Sequence, residues 1–361
     1  MTDQRPLAVV MVADPTPLTL TNLRQLSRWC DLLLTEGTET ISGQPRRPLR
    51  SGWRDLLGLT KPRLRVITTD LAGEEMWQRE RIQRDSCLPV LAFEDPERFV
   101  LMLDADEFLD AELVQERLAE GLEEPARLGL VPLYGGVDRR ARSIHCCWNE
   151  SLAGLRDPDA RTRRPYVVAA PSVATAGQMK GRSPSGVRFR SPLIDKERTF
   201  GIHVTMTGTG EQTEWKLRNM REVWDERVMM AAHLELMLSA GVHHAGWWIA
   251  TYREPEPWLL QLARDCDLRV CGPMLPGEHL RALRAWAEAR LDPLVPAALV
   301  AAGDAYAAGR RVDAQDFLPG LDEWLLSREV EHTGRQRQKD RAGVEHEHGD
   351  ATAACPADPA G

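Results

Sequence analysis

Short apolar runs alternate with helix-like segments through the first 135 residues, and this alternation restricts the fold more than any other feature of the sequence. The predicted strands are residues 7–13, 31–36, 64–69, 99–103 and 128–134, and the predicted helices are 18–29, 74–93 and 111–122. Strands separated by helices predict an α/β fold with a parallel sheet. Ligands of such sheets bind beyond the carboxyl ends of the strands, so the strand ends are where a site is expected.

The chain beyond residue 135 is less regular. Residues 136–200 are rich in Arg, Pro and Gly, a composition typical of a long substrate loop or of an irregular region. Residues 214–240 predict a long helix, Ala-rich helical segments follow it, and the composition turns polar after Val330. We therefore expect a catalytic domain over 1–240, a helical extension packed on it over 241–330 and a disordered tail over 331–361.

Charge and cysteine content exclude several classes of protein. The chain has 46 Lys and Arg against 54 Asp and Glu, a net charge of −8, which disfavours a general nucleic-acid binder. Its seven cysteines form no Cys-x-x-Cys pair, which argues against a disulfide scaffold and a structural zinc site. No apolar run reaches the length of a membrane span, and the amino terminus lacks the layout of a signal peptide. These features predict a cytoplasmic protein with no membrane span.

The most informative segment is Asp104-Ala-Asp-Glu107, which directly follows the predicted buried strand 99–103. Residues two apart in an extended chain point the same way, so Asp104 and Asp106 can share one cation. Oxygen ligands with open positions suit Mg²⁺ or Mn²⁺ bridging a diphosphate. The alternative is an ordinary turn, with Asp110 capping the next helix. We favour the cation site, because burying two close carboxylates without a cation would be costly.

The predicted helix before that strand has a polar face. Glu80 and Arg84 are spaced to form a surface ion pair, which contributes a few tenths of a kcal/mol. The alternative is functional: Gln83 or Arg84 contacts a donor substrate or holds the acidic segment in place.

Four segments, in their order along the chain, resemble segments of one enzyme family. The matching residues are Glu36, Thr40 and Gly43; Trp77, Glu80, Gln83 and Arg84; Asp104, Asp106 and Glu107; and Gly201, His203, Lys216 and Leu217. This pattern is similar to that of glycosyltransferase family 17, which includes the β-1,4-mannosyl-glycoprotein N-acetylglucosaminyltransferases. The chain departs from the family at Ile202, where the family has Trp, and at Asp85, where Asn is usual.

The resemblance implies a GT-A-like (Rossmann-like, nucleotide-sugar-binding) mixed sheet flanked by helices, with a helical C-terminal part. It implies a metal-dependent glycosyltransferase that moves a GlcNAc-like sugar, with inversion, from a nucleotide-sugar donor to a glycan or other hydroxyl acceptor. The expected donor is a UDP-sugar, and the expected cofactor is Mn²⁺ or Mg²⁺.

The resemblance also gives roles to residues that composition leaves unassigned. Its implied donor-binding residues are Glu36, Gln83, Arg84, Asp104 and Lys216, and its implied metal ligands are Asp104, Asp106 and His203. The residues alone also allow non-functional roles. Glu36 is then a solvated acid, His203 a packed core residue and Lys216 a cation on a helix surface.

The catalytic base and the reaction class are less constrained. An inverting transferase needs a carboxylate base for the acceptor hydroxyl, and the candidates are Glu107, Glu150 and Asp225. A sugar-phosphate nucleotidyltransferase uses a similar sheet, but it would normally have a Gly-rich basic loop after the first strand. Residues 13–17 contain neither glycine nor a cation. The third hypothesis is a non-catalytic, glycosyltransferase-like binding protein.

Overall fold

The computed structural model describes residues 4–60, 63–74, 76–143, 168–195, 198–220, 234–235, 238 and 248–273. Its strands are β1 (Leu7–Val12), β2 (Asp31–Gly37), β3 (Leu64–Thr69), β4 (Phe99–Asp104), β5 (Glu107–Leu109), β6 (Ala126–Leu133), β7 (Arg139–Ser143), β8 (Val168–Thr175), β9 (Gly201–Val204) and β10 (Trp248–Tyr252). Its helices are α1 (Pro17–Leu26), α2 (Gly52–Leu57), α3 (Met76–Asp85), α4 (Leu88–Leu91), α5 (Ala111–Ala119), α6 (Ala176–Met179), α7 (Pro184–Arg190), α8 (Gly210–Met220) and α9 (Pro257–Cys266).

The strands form one mixed sheet in the order β10-β7-β6-β8-β4-β1-β2-β3. Strands β3, β2, β1 and β4 run parallel, as the alternation of strands and helices predicts. Strand β8 lies antiparallel between β4 and β6, so the sheet is mixed rather than parallel throughout. The short strand β9 pairs with both β5 and β6 beside this path. The mixed α/β sheet flanked by helices that was expected for the chain is thereby confirmed.

Strands β1 and β4 are apolar along almost their whole length because both faces of the sheet are covered. Alternate side chains of a strand point to opposite faces, and each face here has its own hydrophobic cluster. One cluster contains Ala8, Val10, Val12, Leu32, Leu34, Leu101 and Leu103, and the other contains Leu7, Val9, Leu33, Val100 and Met102. Each fully buried Val or Leu contributes about 1.5–3 kcal/mol, so these runs determine where the centre of the sheet lies.

The predicted helix over 74–93 is divided in two. Helix α3 ends at Asp85 and α4 begins at Leu88. Pro89 explains the break, since a proline ring clashes with the carbonyl four residues earlier, here that of Asp85, and has no N–H to donate. The other predicted helices in the first 135 residues begin and end within three residues of α1 and α5.

Residues on both sides of the expected domain boundary at residue 240 contribute strands to one sheet. Strand β10 pairs antiparallel with β7, so residues 248–252 belong to the same sheet as the first part of the chain. Helix α9 packs Leu259, Leu262 and Ala263 into the cluster that contains Phe108 and Val131. The described residues on both sides of position 240 therefore share one sheet and its hydrophobic clusters.

Other expectations fall outside the described residues, among them the Ala-rich helices after residue 273 and the tail over 331–361. In the part of the chain that the structure describes, no helix has the length and apolar character needed to cross a membrane.

Candidate active site

The acidic segment predicted from the sequence forms a tight turn between β4 and β5, at the carboxyl end of a central parallel strand. Helix α1 holds this turn, because the Asn22 amide donates to the carbonyl oxygens of Ala105 and Glu107 at 3.0 and 2.9 Å. Asn22 is completely buried. A residue that the sequence did not single out thus fixes the backbone on which the carboxylates stand.

Asp106 contacts two basic groups from distant parts of the chain. Its Oδ2 accepts a hydrogen bond from Lys216 Nζ at 2.8 Å, and its Oδ1 lies 3.4 Å from His203 Nε2. Pairing of β5 with β9 sets His203 opposite Glu107 and so brings the imidazole to the turn. The structure therefore brings together Asp106, His203 and Lys216, which come from two of the four segments selected from the sequence.

Asp104 and Glu107 are held by two buried arginines. Arg84 Nη1 donates to Asp104 Oδ1 at 3.2 Å, and Arg188 Nη2 donates to Asp104 Oδ2 at 2.6 Å. Arg188 also donates to both oxygens of Glu107, at 2.6 and 3.1 Å. Arg84 also pairs with Glu80, as the helical spacing predicts. The two arginines thus contact Glu80, Asp104 and Glu107.

Arg188 is the residue that the sequence did not identify. It lies on α7, within the Arg-rich segment that the sequence leaves unassigned, and its side chain is about 5% exposed. Ser183-Pro184 before it is a helix-start signal that could have located α7. Asp85 accepts hydrogen bonds from Ser183 Oγ and Ser185 N, so the residue that departs from the family pattern anchors the helix that carries Arg188.

The charges of the cluster alter the acidities of its members. Burial acts to raise the pKa of Asp106, but the Lys216 ammonium and then His203 outweigh it, so that pKa lies well below its usual range. Burial likewise opposes Arg188 and Arg84 at Asp104, whose pKa is also lowered. At His203 burial acts to lower the pKa, and the neighbouring Asp106 carboxylate raises it above its usual value. Each shift favours the ionised pair.

The Asp106–His203 pair gives a testable titration. His203 is expected to titrate above 6.5, the unperturbed value, and its pKa is expected to fall in Asp106→Asn because the attracting charge is gone. Since the folded pKa of His203 is raised, its contribution to stability is present below pH 6.5 and is lost as pH rises through the folded pKa. NMR titration of the imidazole measures both variants.

Glu214→Gln is the matched control for that titration. It removes an acid from the helix that carries Lys216, and this acid pairs with Arg218. An Asp106→Asn protein with an unchanged His203 midpoint would contradict the assigned contact.

The three expected metal ligands do not form one ligand group. Both oxygens of Asp104 accept from arginines, and Lys216 occupies Oδ2 of Asp106. Among the described residues, no group of three or more His, Cys, Asp or Glu side chains is placed to hold a metal ion. A divalent cation at Asp106 would lie beside the Lys216 ammonium, with the Arg84 and Arg188 guanidinium groups on the neighbouring Asp104, and these positive charges would repel it. The arrangement therefore does not fit the cation site expected from the sequence.

Glu36 has a different role from the expected contact with a nucleoside. Its Oε1 accepts from Arg50 N and Thr68 Oγ1, and its Oε2 accepts from Leu49 N and Trp53 Nε1, all within 3.0 Å. Two donors to each oxygen use the acceptor capacity of a carboxylate. Glu36 therefore anchors the loop over residues 38–51 to the strand ends, and the expectation that it binds the donor is corrected.

Replacing Glu36 by glutamine is expected to destabilise the protein by about 2–4 kcal/mol, because the amide nitrogen would face N–H donors that the carboxylate accepts. Urea unfolding measures the loss. Glu120→Gln is the control, since the Glu120 side chain is 61% exposed and its pair with Arg117 lies at the surface. Equal unfolding midpoints for the two variants would contradict the anchoring role.

Gln83 also acts on the backbone of the site. Its amide donates to the carbonyl oxygens of Val12 and Thr35, at 3.1 and 2.8 Å, and so ties α3 to the ends of β1 and β2. Because both amide hydrogens serve the strand ends, we assign Gln83 to positioning rather than to the expected donor contact.

The candidate bases are not equivalent in the structure. Glu107 is 0% exposed and its carboxylate is held by Arg188 and by the Asp104 N–H, so it cannot reach an acceptor hydroxyl. That candidate is therefore corrected to a buried structural acid. Glu150 and Asp225 lie outside the described residues.

The comparisons with known proteins place the chain at the level of fold. No protein-family model matches it, and no curated protein sequence matches it. Similar solved structures include 4-diphosphocytidyl-2C-methyl-D-erythritol synthase, with 12% identity and a TM-score of 0.30, covering 55% of this chain and 93% of that one. They also include mouse xyloside xylosyltransferase 1, with 13% identity and a TM-score of 0.27, covering 51% of this chain and 73% of that one.

A third similar structure is the galactosyltransferase LgtC in complex with donor and acceptor sugar analogues, with 10% identity and a TM-score of 0.27, covering 50% of this chain and 61% of that one. Likenesses at these identities and scores concern the outline of the fold and carry no argument about substrates.

Proposed function

We propose that this protein is a glycosyltransferase that moves a GlcNAc-like sugar from a nucleotide-sugar donor to the hydroxyl group of a glycan or similar acceptor. One observation carries the proposal: the four segments that resemble glycosyltransferase family 17 converge at one edge of the sheet. Arg84 contacts Asp104, and His203 and Lys216 contact Asp106.

The remaining segment joins the same edge through the backbone. Gln83 donates to the Thr35 carbonyl, next to Glu36. The residues that contact one another are 20 to 110 positions apart in the chain. The four segments that resemble the family in sequence therefore also lie close together in the structure. They lie at the strand ends, where ligands of α/β sheets bind.

The proposed reaction breaks the bond between the anomeric carbon of the sugar and the diphosphate, whose oxygen keeps the electron pair. The acceptor oxygen forms the new bond to that carbon and gives its proton to a carboxylate base. Attack on the face opposite the departing diphosphate inverts the anomeric centre. Positive groups fixed near the diphosphate stabilise the charge that develops there.

Two groups of basic residues have different roles in the proposed reaction. Lys216 and His203, whose side chains are partly exposed, bind the diphosphate. Arg84 and Arg188, whose side chains are buried, hold Asp104 and Glu107 in place. Asp106 contacts both Lys216 and His203 and so orients them.

A binding screen tests the proposal. The protein is mixed with UDP, GDP, CDP, ADP and dTDP, each with Mn²⁺ and each with EDTA, and melting temperature and calorimetric binding are measured. We expect one nucleoside diphosphate, UDP, to stabilise the protein, and the matching nucleotide sugar to be hydrolysed or transferred. Binding of nucleoside triphosphates and no diphosphate would favour the nucleotidyltransferase instead, and binding of none would overturn the proposed function.

The cytoplasmic location expected from the composition remains a prediction, and cell fractionation would test it.

A further inference from the structure

We infer that Lys216, with His203 beside it, takes the place of a divalent cation, so that this protein binds the diphosphate of its donor with its own side chains and needs no metal ion. The inference rests on the proposed function and deepens it. It concerns what neutralises the leaving group at this site.

Charge balance is the first observation. In a cation-dependent site, the metal ion compensates the carboxylates that hold it. Here the carboxylates already have positively charged partners within the protein: Asp104 has Arg84 and Arg188, and Asp106 has Lys216. The arginines are shared with Glu80 and Glu107, so three cations face four carboxylates, and a protonated His203 supplies the remaining charge. A dication would add two positive charges where at most one is lacking.

The order of burial is the second observation. The side chains of Arg84 and Arg188 are 3% and 5% exposed, whereas those of Lys216 and His203 are 24% and 21% exposed. An anion that arrives from solvent therefore reaches Lys216 and His203 and not the arginines. The accessible groups are suited to bind a ligand, and the buried ones are suited to hold the site.

The chemistry of the ammonium group is the third observation. Lysine binds phosphate as a point charge and has three N–H donors, so one ammonium can contact a carboxylate and a phosphate oxygen together. A metal ion at Asp106 would instead bind at about 2.0–2.6 Å and would lie close to Lys216 Nζ, which is 2.8 Å from Oδ2, so the two positive charges would repel each other.

The helix that carries Lys216 is held in position by its own buried residues. Thr213 and Leu217 are four positions apart on one face of α8, and both are buried, at 2% and 0% exposure. Leu217 packs in a cluster with Tyr134 and Met206. The ammonium is therefore positioned before a ligand arrives, as a metal ion would be.

The test is calorimetric binding of UDP and of inorganic pyrophosphate to the whole protein, in EDTA and in Mn²⁺. We expect dissociation constants that differ less than about threefold between the two conditions. We expect Lys216→Met to weaken binding in EDTA about 10- to 100-fold, as the loss of a charged hydrogen bond does, and Lys216→Arg to weaken it less.

The control is Lys180→Met, which removes an exposed lysine at the end of α6 and should leave binding unchanged. Wild-type protein that binds UDP in Mn²⁺ and not in EDTA would overturn the inference and leave the proposed function standing. Tighter binding of Mn²⁺ to Lys216→Met than to wild type, together with unweakened UDP binding, would overturn it as well. Wild-type protein that binds neither probe in either condition would overturn the proposed function itself.

Discussion

Arg188→Met is expected to lower the free energy of unfolding by about 3–5 kcal/mol, the range typical of breaking a buried ion pair from one side. Arg188 is the shared partner of Asp104 and Glu107, and it also donates to the Met102 carbonyl. Methionine fills similar space but leaves Glu107, which is 0% exposed, without its charged donors. Urea denaturation followed by circular dichroism measures the change.

Two further variants make that result specific. Arg182→Met removes an exposed arginine just before α7 and is expected to change stability by less than about 0.5 kcal/mol. The double variant Arg188→Met/Glu107→Gln is expected to recover part of the loss, because it removes the buried charge left behind. If Arg188→Met unfolds at the same urea concentration as Arg182→Met, the buried network does not stabilise the fold.

Asp106→Asn is expected to reduce donor hydrolysis or sugar transfer at least 100-fold while leaving the fold intact. The substitution keeps the shape of the side chain but removes the charge that orients Lys216 and His203. Loss of one preorganised electrostatic contact commonly costs 10²- to 10³-fold in rate. The assay uses the nucleotide sugar whose nucleoside diphosphate binds in the screen.

Asp110→Asn is the matched control for this loss of activity. Asp110 caps α5 by accepting from the N–H groups of Glu112 and Leu113, and asparagine caps helices equally well. The same change of residue type four positions away should therefore leave both activity and stability close to wild type. Wild-type turnover by Asp106→Asn would show that the acidic turn does not act in the reaction.

Sequence patterns predicted the parallel half of the sheet well because its signal is local. A strand buried on both faces is apolar at nearly every position, and β1 and β4 satisfy that condition within a residue of their ends. Strand β2 has an apolar centre at residues 32–34. Strands β5, β7, β9 and β10 are short or rich in polar residues, and β8 lies in an Arg- and Pro-rich part of the chain. Their pairing depends on neighbours far away in sequence, which local periodicity does not reveal.

The candidate site divides in the same way. The sequence by itself determined that Asp104 and Asp106 stand at the end of a buried strand, because an apolar run followed by acids leaves few other arrangements. It also selected His203 and Lys216, through their resemblance to a family pattern.

Only the tertiary structure decided which charges these acids meet. Arg188 is 84 positions from Asp104, and Lys216 is 110 positions from Asp106. No periodic pattern connects residues at such separations, because their contact follows from how β5, β9, α7 and α8 pack and not from any property of the residues between. The physical consequence is large: with arginines and a lysine as partners, the acidic turn is compensated from within the protein, whereas the sequence alone predicted a metal ion there.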